Sequence, residues 1–258
     1  MEKRKWQKRE KRILEKNKAK KKKTERRKQY FLLIRELTSR EIKRKYSRSY
    51  LGILWSVLNP LLSMAVISLI FSQLFKRSID NYPIYYLTGF ILWQLFTGAT
   101  NAAMTALVDN KMMLIKVKLP MEIFILARIY TALVNLGYSM MAYVVMLLVF
   151  QVKPNLTMFF FPIIVFFLLV FTMGISFILA WAYVFFGDVK HLYSVLLTLW
   201  MYCSAIFYPV ERLEGIIRKI IEINPIFNYI DSMRSIIMQE DFLPSKKFFV
   251  MVVWAVVI

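Results

Sequence analysis

Side chains that catalyse reactions or bind metals are scarce in this sequence. Its 258 residues include one cysteine, Cys203, and one histidine, His191. A single cysteine excludes an internal disulfide framework and a cysteine-based zinc site, and the scarcity of both residue types leaves little with which to activate a nucleophile or a metal-bound water. None of the seven glycines forms a G-x-x-x-x-G-K loop, so a phosphate-binding loop of that type is also missing.

Charged side chains are absent from five long stretches of the chain. These stretches are Ser49 to Phe75, Asn81 to Val108, Ile129 to Val152, Pro154 to Gly187 and His191 to Val210. A helix needs about 20 mostly apolar residues to cross a bilayer, and a charge at its centre costs roughly 2.5 to 3.5 kcal/mol. With 58% hydrophobic residues and a mean hydropathy of +0.49, the chain is predicted to be an all-helical integral membrane protein.

Positive charge is concentrated at the start of the chain. Residues 1–48 hold 22 of the 36 Lys and Arg but only six of the 16 acidic residues. The positive-inside rule places such a segment in the cytoplasm, and a tail tethered to the membrane meets anionic lipid headgroups more simply than nucleic acid. We therefore predict a multi-pass protein of the cytoplasmic (inner) membrane, with a cytoplasmic N-terminus and no nucleic-acid partner.

Alternation across the bilayer from this tail predicts six spans. The spans are expected at about 58–75, 85–107, 123–150, 158–186, 191–208 and 246–258. The last run is too short to cross, so the sixth span is expected to be incomplete in this chain. The predicted organisation is a basic tail, residues 1–29, followed by one transmembrane domain, residues 30–258.

Three segments outside the long spans have helical patterns. Apolar residues between 30 and 45 fall on about half of a helical wheel, which predicts an interface helix on the inner surface. Leucine and isoleucine recur at helical spacing between Leu213 and Glu222, which predicts an amphipathic helix in the outer interface. Asn224 and Pro225 fit the N-cap and first residue of a second outer helix, apolar on one side. This pair is interpreted either as the outer mouth of a pathway or as an interfacial hairpin that only completes the fold.

Four motifs follow one another in an order typical of one family. They are KYSRSYLGILWSVLNPLL at 45–62, KVKLP at 116–120, FGDVKHL at 186–192, and Tyr208-Pro209 followed by Asn224-Pro225. With these motifs, residues 30–258 resemble the permease subunit of ABC exporters of polysaccharide, O-antigen or teichoic acid (polyol phosphate) type, an ABC type-2 transmembrane domain. The family usually has Arg where Gly187 stands here, so a contact made by that arginine is not carried over.

The resemblance implies a transport subunit and not an enzyme. Two copies of the chain would form a channel for a lipid-linked glycan (O-antigen, capsule or teichoic acid), each copy resting on a separate cytoplasmic ABC ATPase subunit. The partner would use ATP and Mg, and this chain would bind no cofactor. An ABC-type drug or lipid exporter is the alternative. An ion-coupled transporter is less favoured, because it usually needs carboxylates within its spans, and here they lie at the span boundaries.

The resemblance also indicates candidate site residues. ATPase-coupling contacts are assigned to Met113, Lys116, Val117, Leu119, Pro120, Asp188 and Lys190; the alternative for the 109–120 loop is contact with lipid headgroups. The corner before the first span, an interface or gate region, contains Tyr46, Ser49, Leu51, Gly52, Trp55 and Pro60. The outer mouth contains Tyr208, Pro209, Asn224 and Pro225.

Two further groups of residues are candidates for lining a pathway. Gln94, Thr97, Asn101 and Thr105 are spaced three or four residues apart and so share one helix face. Such a stripe serves either interhelical hydrogen bonding or a channel wall. Aromatic residues can stack on sugar rings or belong to interface belts; the candidates are Trp55, Trp93, Tyr130, Trp181 and Tyr183.

Overall fold

The computed structural model describes residues 25, 28–47, 49–75, 79, 81–116, 119–238 and 245–258. Within these residues the chain forms helices and no strand. Helix α1 covers 28–46. The other helices are α2 (Trp55–Phe75), α3 (Tyr82–Asp109), α4 (Lys111–Lys116), α5 (Glu122–Val149), α6 (Phe161–Phe185), α7 (Val189–Cys203), α8 (Gly215–Ile223), α9 (Pro225–Met238) and α10 (Ser245–Val257). Short 3-10 helices lie at Gly52–Leu54, Leu156–Phe160 and Val210–Arg212.

Four segments of the described chain are long and apolar enough to cross a membrane. They are Gly52–Leu74, Tyr82–Asp109, Glu122–Val149 and Leu156–Phe185. Each overlaps one of the first four predicted spans. The uncharged windows are therefore accurate guides to these helices, because a charge inside a span is costly.

Helix α3 is the centre of the bundle. It packs against α2, α5, α6 and α9 and is buried on most sides along its length. Small residues allow neighbouring helices to approach it closely: a Cβ at Gly89 would lie 2.9 Å from Nη2 of Arg234 and 3.2 Å from Cγ2 of Ile230. The glycine thus makes room for α9 beside α3.

Helix α7 is shorter than the fifth predicted span. The prediction that this span continues from 191 to Tyr208 is wrong, because the helix ends at Cys203. Ala205 has a φ of +46°, a left-handed conformation that stops an α-helix. The side chain Nδ2 of Asn224 donates to the carbonyl of Cys203 at 2.9 Å and so satisfies one of the terminal carbonyls.

The two helices predicted to lie on the outer side, α8 and α9, differ in their surroundings. The apolar residues of α8 are largely exposed, including Ile216, Ile217 and Ile220, as expected for an amphipathic helix at an interface. The apolar side predicted for α9 is buried, but its burial is not confined to that side, because the helix packs against α3, α6 and α10. Even its polar Ser232 and Arg234 are buried. Helix α9 is therefore part of the core.

Helix α10 lies where the last span is predicted. It packs against α6 and α9, and the hydroxyl of Tyr229 donates to the carbonyl of Met251 at 3.0 Å. An ion pair joins Lys247 to Asp231 at 2.6 Å. These contacts attach α10 firmly to α9.

Candidate functional site

A cavity of about 690 Å³ lies between α1, α2, α3 and α5. We call it the central cavity. Its lining contains many polar and charged side chains: Glu41, Arg44, Lys45, Ser56, Asn59, Gln94, Thr97, Asn101, Arg128, Thr131, Asn135 and Ser139. The side-chain oxygen of Asn135 is buried without a hydrogen-bond partner among the described residues, and such an acceptor is rare in a finished core. The cavity therefore offers hydrogen-bonding groups to a polar molecule.

The structure separates the candidate pathway residues into two groups. Gln94, Thr97 and Asn101 lie on the wall of the central cavity. Thr105, the last member of the polar stripe, donates instead to Oδ2 of Asp109 at 2.8 Å.

Most of the candidate aromatic residues lie elsewhere. Trp93 is buried and packs against Phe96, with ring centroids 5.8 Å apart. Trp181 is exposed on α6, and Tyr183 is half-buried against the core; neither lines the central cavity. Trp55 does line it.

A corner joins α1 to α2. Gly52 has a φ of +49°, which glycine adopts without the steric cost that a side chain would add. The Gly52 N–H donates to Oγ of Ser49 at 3.1 Å, and the N–H of Leu54 donates to the carbonyl of Leu51 at 2.9 Å. This corner brings Tyr46 to the wall of the cavity, where its hydroxyl is hydrogen-bonded to Oγ of Ser56.

Pro60 creates a gap in the hydrogen bonding of α2, which Ser139 fills. A proline within a helix has no N–H for the carbonyl four residues earlier, and here that carbonyl belongs to Ser56. The hydroxyl of Ser139, on α5, donates to it at 3.1 Å. The first turns of α2 are thereby bonded to α5 beside the cavity.

Arg128 connects three helices at the end of the bundle that contains α1 and α4, which we call the α1 end. Its guanidinium forms ion pairs with Glu41 on α1 and with Asp109 at the end of α3, the latter at 3.0 Å. The hydroxyl of Thr38 donates to the carbonyl of Ala127 at 3.2 Å. Helix α1 is thus bonded to α5, a contact that its amphipathic pattern alone does not reveal.

Helix α4 (Lys111–Lys116) lies within the 109–120 loop. The carbonyl of Asn110 accepts the N–H groups of Met113 and Leu114 at 2.9 and 3.0 Å, which starts the helix. Met113 and Leu119 pack against the core, and Pro120 is half-buried. The outer face of α4 presents Met112, Ile115 and Lys116.

The remaining candidate coupling residues are easily located. Asp188 and Lys190 are exposed at the turn that precedes and begins α7. Val117 lies outside the described residues. Helix α4 therefore exposes both apolar and basic side chains, and the turn before α7 exposes the charged Asp188 and Lys190.

At the opposite end, which we call the α8 end, side chains bind four consecutive carbonyls of the 205–208 loop. Arg234 donates to the carbonyls of Ala205 and Ile206, each at 2.9 Å. Tyr82 and Tyr85 donate from their hydroxyls to those of Phe207 and Tyr208 at 2.8 and 2.9 Å. The guanidinium of Arg234 also lies 3.4 Å from the ring centroid of Tyr85. The loop after α7 is thus bonded to both α3 and α9.

A second cavity, of about 570 Å³, opens beside this loop. The candidate outer-mouth residue Pro209 lines it, together with Glu211, Arg212 and Lys153. Tyr208 contributes its carbonyl to the network of Tyr85. The outer-mouth candidates thus lie at the α8 end, away from the central cavity.

Asn224 joins the end of α7 to the start of α9. Its Oδ1 accepts from Nε1 of Trp200 at 2.8 Å and from the N–H of Ile226 at 3.0 Å. Its Nδ2 donates to the carbonyl of Cys203 at 2.9 Å and to Oγ of Ser204 at 3.0 Å. Helix α9 begins at Pro225, so the predicted N-cap and first residue are confirmed.

Several membrane-length helices arranged around a polar cavity are features of a multi-pass membrane transport protein. The chain belongs to the ABC-2 type transporter family, whose family model matches residues 33–238. This match confirms the resemblance seen in the four sequence motifs.

Similar proteins carry a more specific name. The chain is 31% identical over 210 residues to the O-antigen export system permease protein RfbA of Myxococcus xanthus, covering 81% of each chain. It is 29% identical over 209 residues to a protein of the same name from Klebsiella pneumoniae, again covering 81% of each chain. The similarity therefore extends over most of both proteins.

Proposed function

We propose that this chain is the permease subunit of an ATP-driven exporter that moves a lipid-linked polysaccharide across the cytoplasmic membrane. The similarity to O-antigen export permeases over 81% of both chains is the observation that carries the proposal. O-antigen, capsule and teichoic acid chains are the substrate types considered.

The proposed assembly contains two copies of this chain and two ABC ATPase subunits. The N-terminus and the α1 end face the cytoplasm, where exposed Met112, Ile115 and Lys116 of α4 would contact the ATPase. An apolar and basic helix face of this kind suits the groove of a partner protein. The ATPase would use ATP and Mg, whereas this chain would bind no cofactor. In this arrangement α7 and α10 would lie within the fifth and sixth spans, and the basic tail would contact anionic lipids.

The central cavity is the proposed site for the polar part of the substrate. Arg44 and Lys45 on its wall suit a phosphate group, while Gln94 and Asn101 suit sugar hydroxyls. Trp55 adds an aromatic surface on which a sugar ring can stack. The exposed apolar face of α2 nearby would leave the lipid part of the substrate in the bilayer.

Reconstitution with an ABC ATPase subunit tests this function. Vesicles containing both subunits should move a lipid-linked glycan only when ATP is present, and the purified chain alone should not hydrolyse ATP. Stimulation by phospholipids or drugs but not by any lipid-linked glycan would favour the alternative exporter. Movement driven by an ion gradient without ATP would contradict both.

Removal of part of the 109–120 loop tests the proposed ATPase contact. Deletion of residues 116–119 should leave the protein in the membrane but separate ATP hydrolysis from export, because the end of the exposed helix is lost. Replacement of Lys219, on α8 at the opposite end, with Ala is the matched control. Normal export after the deletion would contradict the contact.

A further inference from the structure

One guanidinium group holds together the parts of the α1 end that are proposed to face the ATPase. Arg128 pairs with Glu41 and Asp109, and their side chains are 11%, 17% and 41% exposed. The hydroxyl of Thr131 adds a bond to Oε2 of Glu41 at 3.4 Å. We call Glu41, Arg128 and Asp109 the α1–α4 clamp.

The clamp reaches the base of α4 through Asp109. This residue ends α3, and Asn110, which follows it, starts α4 through its carbonyl. The side chain of Asn110 also donates to the carbonyl of Ala106 at 2.8 Å. Because these bonds connect α4 to the last turn of α3, a force on α4 is transmitted directly to Asp109.

The clamp is also part of the cavity wall. Arg128 and Glu41 both line the central cavity, and Arg44, one helical turn from Glu41, lines it too. A displacement of α1 relative to α5 would therefore change the shape of the cavity. The same three side chains thus connect the base of α4 with the wall that surrounds the proposed substrate site.

We propose that Arg128 is a positioning residue that makes α1 and α4 move as one unit with the wall of the central cavity. The inference rests on the proposed function for the idea that the ATPase drives α4. The link between α1, α4 and the cavity wall is a property of this chain alone. Arginine suits the role because its planar group donates to two carboxylates at once. Lysine presents a single charged point and would hold the two less rigidly.

Spin labels on α1 and α4 test the connection without any transport. Glu36 and Met112 are exposed on the two helices, and replacing the chain's one cysteine through Cys203→Ser provides a cysteine-free background. Pulsed EPR on Glu36→Cys/Met112→Cys should give a narrow distance distribution. Arg128→Met should broaden it, Arg128→Lys should give an intermediate width, and Arg218→Met on α8 should leave it unchanged.

Coupling in the reconstituted complex tests the consequence. Arg128→Met should lower the glycan moved per ATP hydrolysed by about tenfold, within the usual range of coupling between sites, and Arg128→Lys should restore part of it. An unchanged distance distribution in Arg128→Met would overturn the proposal. So would equal losses of transport and ATP hydrolysis that only follow the variant's lower thermal stability. If the wild-type complex moves no glycan, the proposed function fails while the EPR result still decides whether the clamp exists.

Discussion

Arg128 and Arg234 are both largely buried arginines near opposite ends of the bundle, but they are paired with different groups. Arg128 lies between two carboxylates, one from α1 and one from the end of α3. Arg234, only 4% exposed, donates to backbone carbonyls and lies over the ring of Tyr85. The first contact joins side chains of three helices, whereas the second determines the path of the chain itself.

This difference indicates different roles for the two ends. The contacts of Arg128 join side chains and not the chain path, and water can solvate the partly exposed Asp109, so the paired helices can shift together. Backbone carbonyls that lose a buried donor remain in place without a partner, and each such loss costs about 1 to 3 kcal/mol. We therefore expect the α8 end to be a fixed part of the fold and the α1 end to be its adjustable part.

The largest expected effect is that of Arg234→Met. The variant leaves the carbonyls of Ala205 and Ile206 without donors, so we expect a loss of about 3 to 5 kcal/mol in the free energy of unfolding. Thermal unfolding in detergent measures this loss. The matched control is Arg218→Met, which removes an exposed pair with Glu222 and should cost less than about 1 kcal/mol. Equal melting temperatures for the two variants would contradict the fixed role of the α8 end.

Replacing the whole α1–α4 clamp sharpens the comparison. Arg128→Met alone leaves Glu41 and Asp109 without their cation. Breaking a fully buried ion pair costs about 3 to 5 kcal/mol. Because this network is partly exposed, the loss of stability should be smaller than that of Arg234→Met. Glu41→Gln/Arg128→Met/Asp109→Asn should recover stability, because neutral replacements of buried ion networks are often tolerated. It should still transport less glycan per ATP. Recovery of both properties would show that the charges do not couple α1 to α4.

Asn224→Ala should have a smaller effect than either arginine change. It removes the N-cap of α9 and the bond to the end of α7, and loss of an N-cap costs about 0.5 to 2 kcal/mol. Thermal unfolding and the fluorescence of Trp200, whose ring nitrogen loses its acceptor, are the measurements. Asn228→Ala, which loses bonds to the carbonyls of Glu222 and Asn224, is the control. An unchanged Trp200 signal would argue against the connection between α7 and α9.

The smallest expected effect is that of Ser139→Ala. The carbonyl of Ser56 then loses its donor, at a cost of about 1 kcal/mol. Pro60→Ala supplies the missing N–H within α2, so Ser139→Ala should have almost no effect in that background. A double-mutant cycle of unfolding free energies measures this interaction. Additive effects of the two changes would show that Ser139 does not compensate for the proline.

The long helices α2, α3, α5 and α6 could be predicted from the sequence because each overlaps a stretch without charged side chains. The start of α9 at Pro225 was likewise readable, since Asn followed by Pro has a local meaning. The burial of α9 could not be predicted, because Arg234 looks like a surface residue unless its bonds to the carbonyls of Ala205 and Ile206 are known. Those partners lie more than 25 residues away in sequence and are backbone groups, which no side-chain pattern reveals.

Part of the candidate site could also be predicted from the sequence, and part could not. The spacing of Gln94, Thr97 and Asn101 placed them on one helix face, and that face lines the central cavity. No local pattern marks Arg128, because its partners come from separate segments: Glu41 belongs to the predicted interface helix, and Asp109 resembles a charge at the boundary of a span. Only the packing of both α1 and α3 against α5 brings these three residues together.

Helix α2 buries few of its side chains against the rest of its own chain. Among its described side chains only Pro60 and Met64 are buried, while Leu62, Val66, Leu69, Ile70 and Leu74 are exposed. Its tilt is consequently sensitive to the thickness of the surrounding lipid layer and to whatever presses against its outer side. Structures determined in thin and thick bilayers should differ first in this helix, while the α3–α9 interior keeps the same geometry.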